Sequence, residues 1–260
     1  MKQAISDENS INTQNIIDLK RYISRSYLPI PQSKEFRQNK ILNSLQEEDL
    51  VTAPLERVEL SVGQRLFEFG SHVPYVYFPT SAIVSLLYVL ENGNSTEISV
   101  AGSEGMVGIL ALINQPALGD AVVQSAGRAY RLKSFSAQQM YDRGGEFQKT
   151  TMLYIHSLLS QMTQNCVCGR HYTIEQQLSR WLLERSDRSI VKELKVTQEV
   201  IANNLGVRRE SVTEATRKLQ DAGLLQCTRG CITILNRKDL ELRAGECYAM
   251  ARLQLDRVQA

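Results

Sequence analysis

The sequence predicts an α+β protein with three parts: an antiparallel β-roll of the jelly-roll type, a long helix and a C-terminal winged helix-turn-helix. Three observations predict it. Short strand-like segments separated by glycines fill residues 58–132, an apolar stripe of helical spacing fills 146–165, and a two-helix pattern followed by a hairpin fills 197–235. Short strands bounded by turns are typical of sandwiches and barrels, whereas a 3.6-residue period indicates helix.

The composition is that of a globular protein with more than one domain. The chain has 260 residues, of which 43 % are hydrophobic and 22 % are charged, and a chain of this length can bury two cores. No apolar run approaches the roughly 18 residues that a membrane-spanning helix needs, and the polar N-terminus does not resemble a signal peptide. We therefore expect a cytoplasmic protein with no membrane association.

Positive charge is concentrated in one segment near the C-terminus. The whole chain has a net charge of +2, whereas residues 168–238 alone carry +5. A local excess of Lys and Arg is typical of a nucleic-acid-binding surface, although a chance fluctuation of a few charges would look the same.

The N-terminal part of the chain is polar. Residues 1–37 contain two prolines and a weakly amphipathic stretch at 16–23, so they are interpreted as an extension. A short helix is predicted next from the spacing of four apolar residues, which are Ile41, Leu42, Leu45 and Leu50.

The β-roll is predicted from five segments that are rich in Val, Ile, Tyr and Phe. They are residues 65–69, 75–78, 83–90, 96–100 and 121–132. Glycines and polar turns at near-regular intervals separate them, which favours an antiparallel sandwich or barrel.

The long helix carries more apolar surface than one small domain can cover. Its stripe consists of Phe147, Tyr154, Leu158 and Met162, widened by Ile155 and Leu159. A helix of about 20 residues spans roughly 30 Å, so half of the apolar face is predicted to meet a second copy of the chain. The alternative is a helix that packs wholly on its own barrel.

A helix-turn-helix is the sharpest prediction. Thr197 is a good N-cap for a first helix, and Glu199 lies where the helix dipole favours a carboxylate. Gly206 can adopt the left-handed conformation that ends this helix. A second helix begins near Arg208, and its inward face is predicted to consist of Val212, Ala215 and Leu219.

The outer face of the second helix provides the candidate DNA contacts. Arginine can bond guanine through two hydrogen bonds, and glutamate can accept from the amino group of cytosine. Arg229 lies in the turn of the predicted wing, where it could reach a phosphate or remain solvated. The predicted DNA-binding residues are Thr197, Arg208, Arg209, Glu210, Thr213, Glu214, Arg217 and Arg229. If the two helices only packed together, the exposed Arg208–Arg209 pair would have no use.

A glycine-rich β-roll, a long helix and a winged helix, in this order, resemble the Crp/Fnr superfamily of transcription regulators. The resemblance covers roughly residues 38–240, and its most specific stretches are GQRLFEFG at 63–70, VYFP at 76–79, GMVG at 105–108 and GVRRESV at 206–212. It implies an N-terminal extension at 1–37, a cyclic-nucleotide-binding-like roll at 38–145, a dimerisation helix at 146–167, the DNA-binding domain at 168–240 and a tail at 241–260.

The resemblance also implies function. It predicts a homodimer that binds double-stranded DNA at a twofold-symmetric operator. RNA polymerase is a possible further partner. Three recognition-helix positions read bases in the family and correspond here to Arg209, Glu210 and Glu214. The third is often arginine in the family, so the target sequence is expected to differ from the best-known family site.

The residues that hold a cyclic nucleotide in the family are missing. Its binders carry a glutamate for the ribose and, about ten residues later, an arginine for the phosphate. Here Ile109 takes the glutamate position, and the arginine position falls near Asp120. An anionic phosphate without a cation would meet like charge, so we expect no binding of cAMP or cGMP. The effector, if there is one, is not identified by the sequence.

The cysteines and histidines do not predict a metal site. Cys166 and Cys168 lie about 200° apart around a helix and cannot share a metal ion, and the family's iron–sulfur members use cysteines near the N-terminus, which this chain lacks. In a reducing cytoplasm free thiols are expected at all five positions, which are Cys166, Cys168, Cys227, Cys231 and Cys247, and a redox or metal role is the alternative.

Two other functions compete with DNA binding. The helical domain could bind a protein partner in a ligand-sensing or interaction module, although the basic C-terminal segment argues against this. The roll could be a cupin-like metalloenzyme, but of the three histidines only His72 lies in the roll. Neither a catalytic Ser-His-Asp set nor a phosphate loop is present, so we expect no enzyme, cofactor or metal.

Overall fold

The computed structural model describes residues 33–46, 49–50, 54–189 and 193–259. The stretch at 16–23 and nearly all of the extension at 1–37 lie outside these residues. The helices are α1 (Lys40–Asn43), α2 (Ser134–Asp142), α3 (Gly145–His171), α4 (Ile174–Arg188), α5 (Gln198–Leu205), α6 (Arg209–Asp221), α7 (Arg237–Ala244) and α8 (Glu246–Gln259). Turns of 3-10 helix lie at Phe36–Gln38 and Ile109–Ile113.

The strands form antiparallel sheets, so the predicted α+β class is confirmed. They are β1 (Glu56–Leu60), β2 (Arg65–Phe67), β3 (Tyr75–Pro79), β4 (Ile83–Val89), β5 (Ser95–Ala101), β6 (Asp120–Ser125), β7 (Gly127–Lys133), β8 (Glu193–Lys195), β9 (Leu225–Thr228) and β10 (Cys231–Ile234). Within the described residues, the roll has one sheet of order β1-β7-β3 and another of order β2-β6-β4-β5.

The predicted strand at 121–132 is two strands, because the chain changes sheets within it. β6 pairs with β2 and β4, whereas β7 pairs with β1 and β3. The crossing brings Gly127 against the backbone of Ala82, where a Cβ atom would lie 2.5 Å from the Ala82 nitrogen. Glycine is needed for this close approach.

The roll has apolar residues on both sides of its three-stranded sheet. Val84, Ala101 and Val123 are buried between the two sheets, whereas Phe78 and Leu132 pack against the helices. The stretch predicted as a short helix around 41–50 is interrupted: α1 covers Lys40–Asn43, and residues 49–50 are again helical.

Asn39 anchors α1 to the roll. Its Nδ2 donates to the carbonyl oxygens of Pro79 and Gly105, both at 2.8 Å, and its Oδ1 accepts from the Leu42 N–H at 3.1 Å. The packing begins before residue 38, since Phe36 is buried in the same core.

The long helix α3 has 27 residues and packs on its own roll with most of the predicted stripe. Phe147, Tyr154 and Leu158 are buried there, whereas Leu159 is 60 % exposed. Tyr154 fits because its neighbour is Gly105, where a Cβ atom would lie 2.0 Å from the tyrosine ring. The stripe is therefore divided between the roll and a second, exposed face.

The predicted DNA-binding domain packs α4, α5, α6 and the wing around one core. Trp181, Leu182, Ile201, Val212 and Leu219 are buried in it. The wing has three strands in the order β8-β10-β9. Strand β8 was not predicted, because a three-residue strand with one buried side chain, Leu194, gives little periodic signal.

The described part of the predicted tail, residues 241–259, is helical on both sides of Gly245 and belongs partly to this core. The predicted boundary at residue 240 falls inside α7, and Ala244 and Tyr248 pack with the apolar side chains of the DNA-binding domain. The wing sequence itself gives no sign that the residues after it pack into this core.

The expectation of five free thiols was wrong for two of them. Cys168, in the last turn of α3, forms a disulfide with Cys247, in the first turn of α8, across a Cα–Cα distance of 6.8 Å. Cys166, Cys227 and Cys231 are free. The two bonded residues are 79 positions apart, so no local pattern brings them together.

Neither a membrane-spanning helix nor a metal-binding group is found in the part of the chain that the structure describes. None of its helices is both long and apolar enough to cross a bilayer. In the same residues, no three side chains of His, Cys, Asp or Glu come close enough together to hold a metal ion.

Candidate nucleic-acid interface

The first helix of the helix-turn-helix begins and ends as its sequence predicts. The Thr197 hydroxyl accepts a hydrogen bond from the Val200 N–H at 3.2 Å, which satisfies one of the unpaired N–H groups at the start of α5. Gly206 ends the helix with φ +68°. A Cβ atom there would also lie 2.5 Å from Thr96 Oγ1 of the roll. Glycine is therefore favoured both by the left-handed backbone and by this close approach.

The second helix, α6, has one buried and one exposed face. The prediction that Val212, Ala215 and Leu219 face inward is confirmed, since all three are buried. At about 100° per residue, positions 209, 210, 213, 214 and 217 lie within an arc of about 140° on the opposite side. The 13 residues of α6 are about 20 Å long, a length that fits the major groove.

All eight predicted DNA-binding residues are exposed. Arg208 is the N-cap of α6, and Arg209 and Glu210 follow in its first turn. Thr197 is the N-cap of α5. Arg229 belongs to the separate turn between β9 and β10, where Gly230 takes a positive φ of 74°.

Two contacts join the outer side chains of α6 to α5. The Thr213 hydroxyl donates to Gln198 Oε1 at 2.8 Å, and Arg209 Nε lies 4.0 Å from a carboxylate oxygen of Glu199. Sequence reasoning missed Gln198 as a member of this surface. No local signal identifies it, because the contact depends on how the two helices cross.

Glu214 has a cationic partner on its own helix. Lys218 Nζ lies 2.8 Å from Glu214 Oε1, and the hydrogen bond from Lys218 lowers the pKa of the Glu214 carboxyl. The same contact raises the pKa of Lys218. The pair could have been found from the sequence, since Glu followed by Lys four residues later is a favourable helix pair.

Helix α4 fixes the DNA-binding domain against the roll through buried ion pairs. Arg185 pairs with Glu97 of β5, donates to Ser85 Oγ at 3.2 Å, and stacks 3.7 Å above the Trp181 ring. Arg188 Nε lies 2.7 Å from Glu104 Oε1. The orientation of the helix-turn-helix is thus set by charges on the roll.

Burial affects the pKa of both arginines, but the net shifts have opposite directions. Burial lowers the pKa of Arg185, and the Glu97 charge offsets only part of this effect. Burial also disfavours the charged form of Arg188, but Glu104 and Glu184 together raise its pKa above the ordinary value. Because charges of both signs are present and hydrogen-bonded, the interface can be buried without an unpaired ion.

Two family models match the chain, one on each side of α3. A cyclic nucleotide-binding domain matches residues 57–143, and a Crp-like helix-turn-helix domain matches residues 176–243. The chain is a transcription regulator of the Crp/Fnr superfamily. The predicted helix-turn-helix DNA-binding domain is thereby confirmed, and the regulators of this superfamily generally lack enzymatic activity.

Individual relatives are distant but extend along most of the chain. The global nitrogen regulator of Synechococcus elongatus is 22 % identical over 217 residues, which cover 76 % of this chain and 94 % of the relative. The structure resembles a protein from Eubacterium rectale assigned to the Crp/Fnr family, with a TM-score of 0.65 and 18 % identity over 80 % of this chain and 99 % of the other. FixK2 of Bradyrhizobium japonicum gives a TM-score of 0.63 and 15 % identity over 72 % and 95 % of the two chains.

The two positions that hold a cyclic nucleotide in the family are occupied in this Crp/Fnr regulator by residues that form part of the roll's own structure. Ile109 begins a 3-10 helix. The buried Asp120 carboxylate accepts from the Phe69 N–H at 2.8 Å and lies 3.5 Å from Arg65 Nε. An acid therefore sits, with its own partners, near the position where the family's nucleotide binders carry arginine.

Proposed function

We propose that the protein binds a twofold-symmetric DNA operator as a homodimer and acts as a binding protein rather than an enzyme. The observation that carries this proposal is the outer face of α6. It exposes cationic and acidic side chains, and Arg208, Arg209 and Glu210 at its N-terminal end are all exposed. A helix presented in this way can enter the major groove with its first residues against base edges.

The eight exposed residues divide into two roles. Arg209, Glu210 and Glu214 are assigned to base edges, because arginine recognises guanine and glutamate accepts from the cytosine amino group. Phosphate contacts are assigned to Thr197, Arg208, Thr213, Arg217 and Arg229. The Thr197 hydroxyl already accepts from the Val200 N–H and can still donate its hydrogen to a phosphate oxygen.

The second copy is proposed to bind the exposed apolar face of α3. Met152 and Leu159 are more than half exposed, and Ile155 and Met162 are half-buried. Their spacing of three and four residues is that of a coiled-coil seam. At about 100° per residue, this face lies opposite the face that meets α8, so the tail leaves it open for the partner.

A matched pair of substitutions tests the dimer. Leu159→Glu places a charge in the seam, whereas Leu153→Glu places the same charge on the same helix about 120° away. The two leucines are similarly exposed, at 60 % and 55 %. Sedimentation velocity should show a monomer for the first variant and a dimer for the second. Equal masses for both variants would count against this seam.

The roll is proposed not to take a cyclic nucleotide. An anionic phosphate beside Asp120 would meet like charge, and Arg65, the nearby cation, is already paired with both Asp120 and Glu68. Isothermal titration with cAMP and cGMP should show no binding. A dissociation constant in the micromolar range for either nucleotide would contradict the proposal.

Selection from a random DNA pool tests the DNA-binding function itself. The selected sequences should contain two inverted half-sites whose centres lie about 34 Å apart, which is one helical turn. Selection of no sequence would favour the competing hypothesis of a protein-interaction module.

A further inference from the structure

The disulfide between Cys168 and Cys247 spans the entire DNA-binding domain. Cys168 lies at the end of the long helix α3, and Cys247 lies at the start of α8. The helix-turn-helix and the wing occupy the 79-residue separation between them. Both cysteines are buried, so the bond forms part of the packed structure.

The chain has a narrow joint directly beside this bond. Helix α3 ends at His171 and α4 begins at Ile174, so two residues, Tyr172 and Thr173, connect the long helix to the DNA-binding domain. A short joint between two rigid elements is where a domain can rotate. The disulfide gives the DNA-binding domain a second, covalent attachment to α3. It joins Cys247, which follows the domain, to Cys168, which lies before the joint.

Noncovalent contacts also join α8 to α3 and α4. A cavity between these three helices is lined on the α3 side by Ser157, Gln161 and Gln164, which are polar and offer little apolar area to bury. Polar contacts anchor α8 to α4 and to the end of α3. The Tyr248 hydroxyl bonds Asp187 of α4 at 3.0 Å, and the Tyr172 hydroxyl bonds Glu246 at 3.1 Å.

We propose that Cys168 and Cys247 form a thiol–disulfide exchange site through which a dithiol reductant changes DNA affinity; this rests on the proposed DNA-binding function. A DNA-binding regulator works in the compartment that holds the DNA, where thiols are kept reduced and disulfides are transient or redox-sensing. The bond is therefore a reversible link.

The exchange balances with one dithiol. A thiolate of the reductant attacks one sulfur of the protein, the S–S bond breaks, and the electron pair leaves on the other sulfur, which takes up a proton. The second thiol of the reductant then attacks the mixed disulfide, releases the second cysteine as a thiol and leaves the reductant as a disulfide. Two electrons and two protons have moved to the protein.

The structure offers a route to the bond. Cys168 lines a cleft of about 100 Å³ between the roll, α3, α4 and α5, together with Asn165, Gly169 and Arg180. A thiolate that reaches this cleft meets the Cys168 side of the bond, with the Arg180 guanidinium among the lining groups.

The oxidised form is the stronger DNA binder. With the bond closed, each DNA-binding domain is attached to the dimerisation helix at both of its ends. The two recognition helices of a dimer then lose less freedom when they bind. Reduction removes the covalent link between α8 and α3 and leaves the ion pairs of Arg185 with Glu97 and of Arg188 with Glu104 in place, so the part of the domain next to α8 gains freedom of movement.

Cysteine counting establishes the bond independently of DNA. Alkylation of the denatured full-length protein should modify three cysteines without reductant and all five after dithiothreitol. Hydrogen exchange at residues 246–253 should be faster in the reduced protein. Five modified cysteines without reductant, or unchanged exchange, would overturn the proposal even if the protein bound no DNA at all.

DNA affinity tests the consequence. At one salt concentration, reduced wild type should bind the selected operator about tenfold more weakly than oxidised wild type. Cys247→Ser should bind weakly with and without dithiothreitol, whereas Cys166→Ser, which removes a free thiol from the same helix, should keep the full response. Equal affinities of oxidised and reduced wild type, tighter binding after reduction, or loss of the response in Cys166→Ser would each overturn it.

Discussion

Two sets of ion pairs in the DNA-binding domain contrast with each other. On the outer side, Arg209 pairs with Glu199 and Lys218 pairs with Glu214, and all four side chains are more than half exposed. On the inner side, Arg185 pairs with Glu97 and Arg188 with Glu104, and all four side chains are less than a tenth exposed.

The difference in burial gives the two sets different roles. An exposed pair contributes little to stability and exchanges its partner easily, so the outer side chains can leave each other for base edges and phosphates. A buried pair cannot lose one member without leaving an uncompensated charge. The inner pairs therefore fix the orientation of the domain, whereas we propose that Arg209 and Glu214 of the outer pairs read the DNA.

The largest effect is expected from breaking an inner pair. Arg185→Ala leaves Glu97 buried and unpaired, which should lower the free energy of unfolding by about 3–5 kcal/mol. Urea denaturation followed by fluorescence of Trp181 measures it. The double variant Arg185→Met with Glu97→Leu should recover most of the loss, because no buried charge remains. A loss below about 1 kcal/mol for the single variant is incompatible with a buried pair.

A smaller and more specific effect is expected at the tip of the recognition helix. Arg209→Ala should weaken discrimination at one base pair of each half-site by about 1–3 kcal/mol with little change in stability. Binding to a set of operators that differ at single positions measures it. A uniform loss across all operators would instead assign Arg209 to a phosphate.

Lys218 is the matched control for Arg209, since it lies on the same helix and is paired on the surface in the same way. Lys218→Ala should leave the free energy of unfolding nearly unchanged, because an exposed ion pair contributes little to stability. If Lys218 turns to a phosphate in the complex, its loss should reduce the salt dependence of binding by about one unit of slope. If Lys218→Ala lost affinity for some operators and not for others, Lys218 would contact a base, which would contradict the distinction drawn between Arg209 and Lys218.

The smallest expected change is in a titration. The hydrogen bond from Lys218 lowers the pKa of the Glu214 carboxyl, so Lys218→Ala should raise that pKa toward the ordinary glutamate value. The glutamate would then bind its proton at a higher pH than in the wild type. Carbon-detected NMR of the side chain measures the shift, and an unchanged pKa would show that the surface pair does not form in solution.

The features that could be predicted from the sequence depend on local physics. The cap at Thr197, the left-handed Gly206 and the inward spacing of Val212 and Leu219 each involve residues within one or two turns of each other. Most strands of the roll follow from composition and turns in the same way. The exceptions are β1 of the roll and β8 of the wing, which lie outside the predicted segments, and the segment 121–132, which is two strands.

The features that escaped prediction depend on contacts between distant residues. Arg185 and Glu97 are 88 residues apart, and Cys168 and Cys247 are 79 apart. Neither pair shares a local pattern, because the relation between them arises only when the roll, the long helix and the tail have packed. Periodicity likewise shows that α3 carries an apolar stripe but does not show which part of it packs on the roll.

The ratio of affinities for operator and random DNA tests the central claim most directly. At matched salt, the wild-type protein should bind a selected twofold-symmetric operator at least about 10³-fold more tightly than random DNA of the same length. Arg209→Ala should reduce this ratio while leaving binding to random DNA nearly unchanged. Equal affinity of the wild type for operator and random DNA would contradict the account, because the outer face of α6 would then provide charge without reading sequence.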